Sequence, residues 1–379
     1  MIDILISFLS IIFIISIPIF LHELGHFLAA RSVGIKVEKF YVGINLFGLG
    51  IKKKINETEY GIGLFPLGGY VKVAGIIDES LDSEGSKDEI KDYEFRSKNT
   101  FQKLWFLSAG VIMNFILSIV IYTFLTFFMG TYELANDQPI VNDIQENITI
   151  LNQSNDTLTV KSPAFLLGLK KDDTILRINN NRITNWTDIS SNVVNKVDSI
   201  ITVEWKTSNG KFHKREVEIP GRIGLDKGQI IRVGVLGVSA ATVKKEVGIF
   251  EAFKISVIQT YTIIVSSFYG FVGIVSGNLD LKYVSGILGI AKQAGDVAQS
   301  AGFLSLLALM AFISSNLGLI NILPIPGLDG GHALIAIIEG VIRREIPKNI
   351  KYGIQFLGFL IIMSLLFLTI FNDIKNIFL

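Results

Sequence analysis

The sequence contains no cysteine and few charged residues. None of its 379 residues is cysteine, which excludes a disulfide scaffold, a thiol nucleophile and any cysteine-ligated metal or iron–sulfur site. Only 18% of the residues are charged, whereas soluble domains usually carry about a quarter. The 35 basic and 34 acidic residues leave a formal net charge of +1, so no overall electrostatic attraction to nucleic acid is expected. Because half of the residues are hydrophobic, a wholly soluble chain is not expected either.

Five apolar runs are long enough, or nearly so, to cross a membrane as helices. The hydrocarbon of a bilayer is roughly 30 Å thick, which takes about 20 helical residues. The runs are Ile4–Ala30, Leu104–Tyr132, Ile255–Leu279, Val297–Leu328 and Tyr352–Asn372. We do not expect the first run to be a signal peptide, because Asp3 precedes it where a signal peptide has a basic cluster, and its apolar stretch is too long.

Basic residues are concentrated in two of the loops between these runs. Arg31–Lys103 holds 12 lysines and arginines, and Arg343–Lys351 adds four more. Short basic loops near membrane helices lie on the cytoplasmic side, so both loops are expected there. The polar region from Glu133 to about Lys254 is long and mixed in charge, and it can lie outside because long domains are translocated regardless of charge.

Both basic loops can lie inside only if one of the two runs between them does not span. Ile255–Leu279 is the better candidate, because it has a scatter of polar residues typical of an interfacial amphipathic helix. These residues are Ser256, Gln259, Thr260, Ser266, Ser267 and Ser276. We therefore predict four transmembrane helices, with Ile255–Leu279 on the outer face; a fifth span is the alternative.

The first run ends in His22-Glu23-Leu24-Gly25-His26. Residues four apart share one face of a helix, so both imidazoles can point at one ion. Zinc accepts two such nitrogens, and the glutamate between them can take a proton from a water on the metal. Ionisable side chains at the edge of an apolar membrane helix are costly and usually functional. The motif predicts a zinc site, with packing of the histidines at the membrane boundary as the structural alternative.

A zinc site needs a third protein ligand, and the fourth apolar run ends beside a candidate. After Asn321 the chain reads Ile-Leu-Pro-Ile-Pro-Gly-Leu-Asp, and two prolines within three residues cannot continue a helix. Such a break is tolerated in a membrane where it lines a protein cavity. Asp329, the first carboxylate after the break, is the predicted third ligand. His332 is the alternative and otherwise packs nearby, and His213 is expected on the surface.

The ligand prediction and the predicted topology agree with each other. His26 lies at the inner end of the first run. Asp329 reaches the same depth only if the fourth run travels inward, which again requires that Ile255–Leu279 does not span.

Two polar segments have the pattern of β-structure. In the outer region, Ile175–Asn180 predicts a strand and turn, Asp188–Val197 a helix, and Ile200–Trp205 with His213–Ile219 a hairpin. In the cytoplasmic loop, Glu59–Gly75 alternates apolar and small residues, which predicts a hairpin or re-entrant loop near the membrane. An ordinary amphipathic hairpin on the cytoplasmic surface is the alternative for that segment.

Taken together, these segments resemble the site-2 protease family of intramembrane zinc metalloproteases, and most closely its bacterial regulator of sigma-E protease group. The resemblance covers nearly the whole chain. The residues that carry it are His22–His26, Gly68-Gly69-Tyr70-Val71, Ala109-Gly110 through Asn114, Ser162-Pro163-Ala164 at the start of a PDZ-like segment, Gly286 through Gly289, and Asn321-x-x-Pro324 leading to Leu328-Asp329-Gly330.

The resemblance implies a set of site residues and an activity. The implied residues are the zinc ligands His22, His26 and Asp329, the water-activating Glu23, and the substrate-binding Asn321, Gly69, Tyr70 and Val71. The implied enzyme is a zinc metalloendopeptidase that cuts transmembrane segments of pre-trimmed single-span proteins, such as anti-sigma factors or remnant signal peptides. It would lie in the bacterial inner membrane. A zinc-binding membrane transporter or sensor, or a scaffold acting through the PDZ-like domain, is the alternative.

The implied fold is a polytopic α-helical membrane protein with four transmembrane helices, a membrane-associated β-element and an inserted extracytoplasmic PDZ-like α/β domain. The predicted order is a first transmembrane helix at 1–31, a cytoplasmic loop with a β-hairpin at 32–103, a second transmembrane helix at 104–132, the PDZ-like domain at 133–244, interfacial helices at 245–296, and the last two transmembrane helices at 297–342 and 352–373. The PDZ-like domain would take an extended peptide at a sheet edge or act only as a steric cap.

Overall fold

Long apolar helices and short β-sheets make up the described parts of the chain. The computed structural model describes residues 2–45, 50–76, 90–151, 157–226, 229–279 and 284–378. The chain divides into two units. The helical unit comprises Met1–Phe127, Gly248–Phe268 and Asp280–Leu379, and the β-rich unit comprises Phe128–Val247 and Tyr269–Leu279.

Helices form most of the helical unit. The helices of the chain are α1 (Ile2–Ser32), α2 (Thr100–Met129), α3 (Pro163–Leu167), α4 (Trp186–Val193), α5 (Ile249–Val275), α6 (Ile287–Ser300), α7 (Gly302–Ile322), α8 (Asp329–Ile342) and α9 (Lys348–Phe378). Five of them, namely α1, α2, α5, α7 and α9, are long and apolar enough to cross a membrane. They correspond to the five apolar runs of the sequence, as expected for a polytopic helical membrane protein.

Helices α1 and α7 run in the same direction, and α2 is antiparallel to α7. The rings of Phe13 and Phe303, in the first halves of α1 and α7, have centroids 5.8 Å apart, and further along both helices Asn321 Nδ2 lies 3.3 Å from His22 Nε2. The Tyr122 hydroxyl of α2 donates to the Ala308 carbonyl of α7 at 3.4 Å. Further along α7, Gly318 packs against the Phe115 ring. Later residues of α7 therefore contact earlier residues of α2.

A buried group of hydroxyl side chains joins α2, α5 and α7. Ser118 Oγ lies 2.6 Å from Ser315 Oγ and 3.4 Å from Thr260 Oγ1. Ser256 of α5 is buried as well and donates to the carbonyl of Ala252 one turn earlier. Two of the polar residues that indicated an interfacial helix, Ser256 and Thr260, are thus buried, and Thr260 contacts α2. The non-spanning position of this helix stays a prediction.

The chain breaks between α7 and α8, where the two prolines predict a break. Helix α7 ends at Ile322 and α8 begins at Asp329. A Cβ built on Gly330 would lie 2.4 Å from the Ile322 oxygen and 2.2 Å from the Leu323 oxygen. Only glycine allows the first turn of α8 to pack this closely on the freed carbonyls. The segment 297–342, predicted as one transmembrane element, contains the last turn of α6 followed by α7 and α8, with this break between α7 and α8.

The strands are shorter than the helices and occur in both units. They are β1 (Val37–Ile44), β2 (Gly50–Ile55), β3 (Thr58–Gly63), β4 (Phe65–Val73), β5 (Thr131–Leu134), β6 (Asp143–Ile144), β7 (Asn147–Leu151), β8 (Thr157–Lys161), β9 (Thr174–Ile178), β10 (Asn181–Arg182), β11 (Ser199–Lys206), β12 (Phe212–Ile219), β13 (Gly221–Asp226), β14 (Gln229–Gly234), β15 (Val238–Ser239) and β16 (Thr242–Lys245).

A four-stranded sheet packs on the second half of α1. Its strand order is β2-β3-β1-β4, with β1 parallel to β3 and antiparallel to β4. The Phe40 ring of β1 lies 5.1 Å from Phe27 and 6.2 Å from Phe20 of α1, measured between centroids. The prediction of a hairpin over Glu59–Gly75 is wrong, because β1 lies between the two strands of that segment. Alternation predicts strands, but it does not specify which strands become neighbours.

The β-rich unit has an apolar core beneath a sheet of order β10-β9-β11-β12. The most deeply buried side chains of this core are Val141, Ala164, Ile175, Ile178, Val203 and Ile219. The predicted hairpin forms β11 and β12, which pair from Ser199 with Ile219 to Lys206 with Phe212. Helix α4 begins with a reciprocal capping box between Asn185 and the residue three positions later.

Candidate metal centre

Three side chains from distant parts of the sequence meet in the helical unit. His22 and His26 lie one helical turn apart on α1, and Asp329 opens α8. The Nε2 atoms of the two histidines are 3.1 Å apart. Asp329 Oδ2 lies 3.1 Å from His22 Nε2 and 3.2 Å from His26 Nε2. Within the described ranges, no other group of three or more His, Cys, Asp or Glu side chains comes together in this way.

The cluster fits a zinc ion. Tetrahedral zinc with ligand distances of about 2.0–2.1 Å separates neighbouring ligand atoms by about 3.3 Å. The three separations in the cluster are 3.1, 3.1 and 3.2 Å. Two imidazole nitrogens and one carboxylate oxygen are also a donor set that catalytic zinc sites use, with the fourth position left open. A shared cation explains why both Nε2 atoms face one carboxylate oxygen.

Glycines bring α2 against the ligand face of α1. A Cβ built on Gly25 would lie 2.5 Å from the Ala109 carbonyl oxygen. A Cβ built on Gly110 would lie 2.5 Å from His26 Nε2 and 2.6 Å from His22 Cε1. Any side chain at position 110 would therefore displace the imidazole rings. Small residues at the contact are what allow two membrane helices to approach this closely.

Hydrogen bonds from α2 hold the far sides of both rings. His26 Nδ1 lies 2.8 Å from the Phe106 carbonyl oxygen. Because a carbonyl oxygen only accepts, Nδ1 carries the proton and Nε2 keeps its lone pair for a metal. His22 Nδ1 lies 3.1 Å from the side-chain amide of Asn114.

Glu23 lies between the two histidines and contacts the edge of the sheet. A Cβ built on Gly69 would lie 3.1 Å from Glu23 Cγ, and the Val71 backbone N–H donates a hydrogen bond to the Glu23 carboxylate. In an antiparallel pair, alternate residues direct their N–H and C=O groups to opposite sides. The backbone of Val71, and by alternation that of Gly69, therefore points away from β1 and toward the site.

Asn321 lies at the end of α7 beside the cluster. Its Nδ2 is 3.3 Å from His22 Nε2. It also lines a cavity of about 320 Å³ between α2, the end of α7 and α8. Most of the lining is apolar, including Leu107 and Ile337, and Asp329 forms part of the wall. One side chain of the cluster, Asp329, therefore borders a mainly apolar cavity.

Tyr70 is turned toward its own sheet. Its ring stacks on Tyr41 with centroids 5.0 Å apart and planes 4° from parallel. The Tyr41 hydroxyl donates to Glu59 Oε1 at 2.5 Å. Burial, together with this hydrogen bond, raises the pKa of Tyr41 to about 12. Of the residues expected to bind substrate, Gly69, Val71 and Asn321 lie against Glu23 or the cluster, whereas the Tyr70 side chain packs on a neighbouring strand.

The two other histidines lie outside the cluster. His332 Nδ1 is 3.4 Å from the Gln355 amide, on the side of α8 that faces α9. His213 belongs to the β-rich unit and stacks on Trp205, with ring centroids 5.2 Å apart. It is half-buried, so the expectation of a simple surface histidine was only partly right.

Sequence reasoning assigned no role to three positions of α2 that complete the cluster. They are Phe106, whose carbonyl orients His26, Gly110, which makes room for both rings, and Asn114, which faces His22. Two signals were present: Ala109-Gly110 through Asn114 belong to the residues that carry the family resemblance, and Asn114 is an amide inside an apolar helix, where polar groups usually have a function.

Comparison with known proteins identifies relatives along almost the whole chain. A family model described as "Peptidase family M50" matches residues 10–365. Cj1068 from Campylobacter jejuni is 34% identical over 98% of this chain and 94% of its own length. CPE1693 from Clostridium perfringens is 31% identical over 94% of this chain and 95% of its own. RasP from Geobacillus kaustophilus is 27% identical over the full length of both chains. The names of all three contain the words zinc metalloprotease.

Proposed function

Because the chain belongs to peptidase family M50 and is a zinc metalloprotease of the site-2 type, we propose that it hydrolyses peptide bonds inside membrane-spanning segments of other proteins. The observation that carries the proposal is the position of Glu23. It lies between the two histidines of the metal cluster and also contacts the outer edge of β4. A proton acceptor is thus next to both the metal and a surface able to hold an extended peptide.

The proposed mechanism assigns one role to each residue. His22, His26 and Asp329 would hold a zinc ion, which would supply Lewis-acid chemistry to the scissile carbonyl and to the attacking water near neutral pH. Glu23 accepts a proton from the attacking water on its carboxylate. The water oxygen bonds to the carbonyl carbon, and Glu23 passes its proton to the nitrogen as the C–N bond breaks. The Asn321 amide holds the substrate backbone beside the cluster.

Strand pairing at β4 would present the substrate in a form that can be cut. A transmembrane helix resists hydrolysis, because its amides are already paired and its carbonyls are shielded. The outward-facing backbone groups at Gly69 and Val71 are suited to pairing with an unwound segment, as in other cases of strand addition. The apolar cavity beside Asn321 and Asp329 suits a hydrophobic side chain next to the cut bond. Both features support a substrate taken from a membrane span.

A topology with four crossings fits the helix directions. Since α1 and α7 are parallel and α2 is antiparallel to α7, α2 ends on the side where α7 begins. The segment between α2 and α7 then begins and ends on one side, and a single crossing by α5 would violate this. Helix α6, with 14 residues, is about 21 Å long and too short to supply a second crossing. These directions support a non-spanning α5.

We further propose that residues 133–244 of the β-rich unit form an extracytoplasmic PDZ-like domain. Its sheet, its two short helices and the Ser162-Pro163-Ala164 start of α3 support this interpretation. In that position the domain would exclude substrates whose external part is still bulky, and it would take an extended peptide at a sheet edge.

The resemblance to the regulator of sigma-E protease group suggests the natural substrates. These are single-span proteins already trimmed outside the membrane, such as anti-sigma factors, or remnant signal peptides. The protein would act in the inner membrane of a bacterium.

Co-expression with tagged single-span test proteins tests the proposal. Wild-type protein should cut them, and Glu23→Gln should lower cleavage by at least about 100-fold because the proton acceptor is lost. Zinc content should be unchanged, since Glu23 is not a ligand. The matched control is His332→Gln, which replaces a histidine three residues from Asp329 but outside the cluster and should keep both cleavage and zinc.

Three outcomes would contradict the proposal. Inserted wild-type protein that cuts no test substrate would remove the protease interpretation. Zinc transport or sensing that survives Glu23→Gln would favour a transporter or sensor. Function that survives His22→Ala but not deletion of residues 133–244 would favour a scaffold.

A further inference from the structure

Asn114 is a buried amide in the middle of an apolar helix. It lies one turn after Gly110 on α2 and is fully buried. A polar side chain in such a position is costly unless it is hydrogen-bonded. Its Nδ2 lies 3.1 Å from His22 Nδ1. Its Oδ1 has no hydrogen-bond partner among the residues that the structure describes.

If His22 binds zinc, the protonation of its ring determines whether the oxygen or the nitrogen of the Asn114 side chain faces it. A neutral imidazole carries one proton, so a lone pair on Nε2 for zinc leaves the proton on Nδ1. His22 Nε2 is the atom that faces His26 and Asp329. Nδ1 must then donate a hydrogen bond, and an amide nitrogen cannot accept it. Rotating the amide by half a turn exchanges its oxygen and nitrogen, which are assigned from the hydrogen bonds they make. In that orientation Oδ1 accepts from His22 Nδ1.

Both histidines then donate a hydrogen bond from Nδ1, but to different kinds of acceptor. His26 Nδ1 donates to the backbone carbonyl of Phe106 at 2.8 Å. His22 Nδ1 donates to the side chain of Asn114, two turns further along the same helix. A backbone carbonyl fixes one ring whatever the side chain, whereas the second ring depends on the identity of a single residue.

The backbone of Asn114 is held in place by α7. Ser314 Oγ donates to the Asn114 carbonyl oxygen at 2.8 Å, and both residues are fully buried. The backbone position from which the Asn114 side chain reaches His22 is therefore held by a contact between α2 and α7.

We propose that Asn114 is a positioning residue that fixes His22 in its zinc-binding form, by accepting the Nδ1 proton and setting the plane of the ring. The inference rests on the proposed protease site and identifies the residue that supports one of its ligands. Loss of such an outer hydrogen bond to a metal-binding histidine typically lowers metal affinity by about 10–100-fold.

Zinc affinity of the full-length protein, measured by chelator competition, tests the proposal. Asn114→Leu has a similar size but no acceptor and should bind zinc about 10–100-fold more weakly than wild type. Asn114→Asp keeps an oxygen acceptor and should restore most of the affinity. Ser118→Ala is the control, because it removes another buried polar side chain of α2, one turn after Asn114, that contacts Ser315 and Thr260, and it should bind zinc nearly as well as wild type.

Labelling histidine with ¹⁵N gives a second readout, since the chain has only four histidines. Zinc-loaded wild type and Asn114→Asp should show His22 protonated at Nδ1, and Asn114→Leu should lose this single form.

The inference is overturned if folded Asn114→Leu binds zinc as tightly as wild type, or if Asn114→Asp is as weak as Asn114→Leu. These results differ from a failure of the proposed function, which would appear as wild-type protein that neither binds zinc nor cuts test substrates.

Discussion

The two units place their polar residues in opposite ways. In the helical unit, the fully buried residues include Asn114, Ser118 and Ser314, while Phe250 and Phe367 are 88% and 73% exposed. The β-rich unit has an apolar core, and the buried polar residues among those described there are Ser162, which caps α3, and Asp173, which accepts a hydrogen bond from the Lys170 backbone N–H. This is the difference expected between a part solvated by lipid and a part solvated by water.

The difference shows where functional residues are easiest to recognise. In an apolar helix a polar side chain has a high cost, so its presence at a buried position calls for a specific partner. The histidines, Asn114 and Asp329 meet this expectation by converging on one cluster. In the β-rich unit, polar residues are common on the surface, and the buried Asp173 and Ser162 have local backbone partners, so the same reasoning is less informative there.

The largest effect is expected on zinc binding in the helical unit, from a substitution at Gly110. Gly110→Ala would place a Cβ at 2.5 Å from His26 Nε2, so the rings must move. Zinc affinity should fall by more than the roughly 10–100-fold caused by loss of one outer hydrogen bond. Gly353→Ala on α9 is the control, because its Cβ would meet nothing within 4 Å. Zinc titration of both purified variants checks this, and a Gly110→Ala protein with wild-type affinity would contradict the described packing.

A substitution at Ile201 is expected to lower the stability of the β-rich unit alone. Ile201 is 1% exposed in the core of the β-rich unit, and Ile201→Ala should destabilise that unit by about 2–5 kcal/mol through a cavity. Amide hydrogen exchange of β9, β11 and β12 should accelerate, while zinc content stays the same.

Ile200→Ala is the matched control, since the neighbouring side chain on the same strand is 68% exposed. It should change exchange little. Loss of zinc from Ile201→Ala would contradict this expectation, because it would show that the stability of the β-rich unit affects zinc binding in the helical unit.

The smallest effect is a pH dependence of the β-rich unit at Asp188. Hydrogen bonds from the backbone and hydroxyl of Thr184, and from Asn185, lower the pKa of the Asp188 carboxyl. A lowered pKa in the folded state adds stability above the unfolded pKa of about 3.9, and this stability is lost as pH falls through the folded value. Hydrogen exchange of α4 should therefore rise more steeply on acidification in wild type than in Asp188→Asn. An equal pH dependence of exchange in the two proteins would show that the Asp188 carboxylate does not stabilise the start of α4.

Patterns along the chain predicted much of the helical unit. The five long apolar helices, the break after Ile322 and the meeting of His22, His26 and Asp329 could all be predicted, because a membrane helix imposes strict limits on length and polarity. The motif His22–His26 was informative by spacing alone. The spacing of the motif does not identify the third ligand, and Asp329 was predicted because it is the first carboxylate after the helix break at the two prolines.

The features that escaped prediction are those set by neighbours distant in sequence. The parallel pairing of β1 with β3 depends on which strands meet across the sheet, and alternation within Glu59–Gly75 does not contain that information. Gly110 and Asn114 act through contacts with α1, about 80 to 90 residues away in sequence. A pattern within α2 indicates at most that an amide there needs a partner.

X-ray absorption at the zinc edge of the purified wild-type protein tests whether His22, His26 and Asp329 bind one zinc ion together. We expect one zinc per chain, bound by two imidazoles and further oxygen ligands, and a changed first coordination shell in Asp329→Ala. Substoichiometric zinc, a single imidazole, or a spectrum unaffected by Asp329→Ala would contradict this expectation.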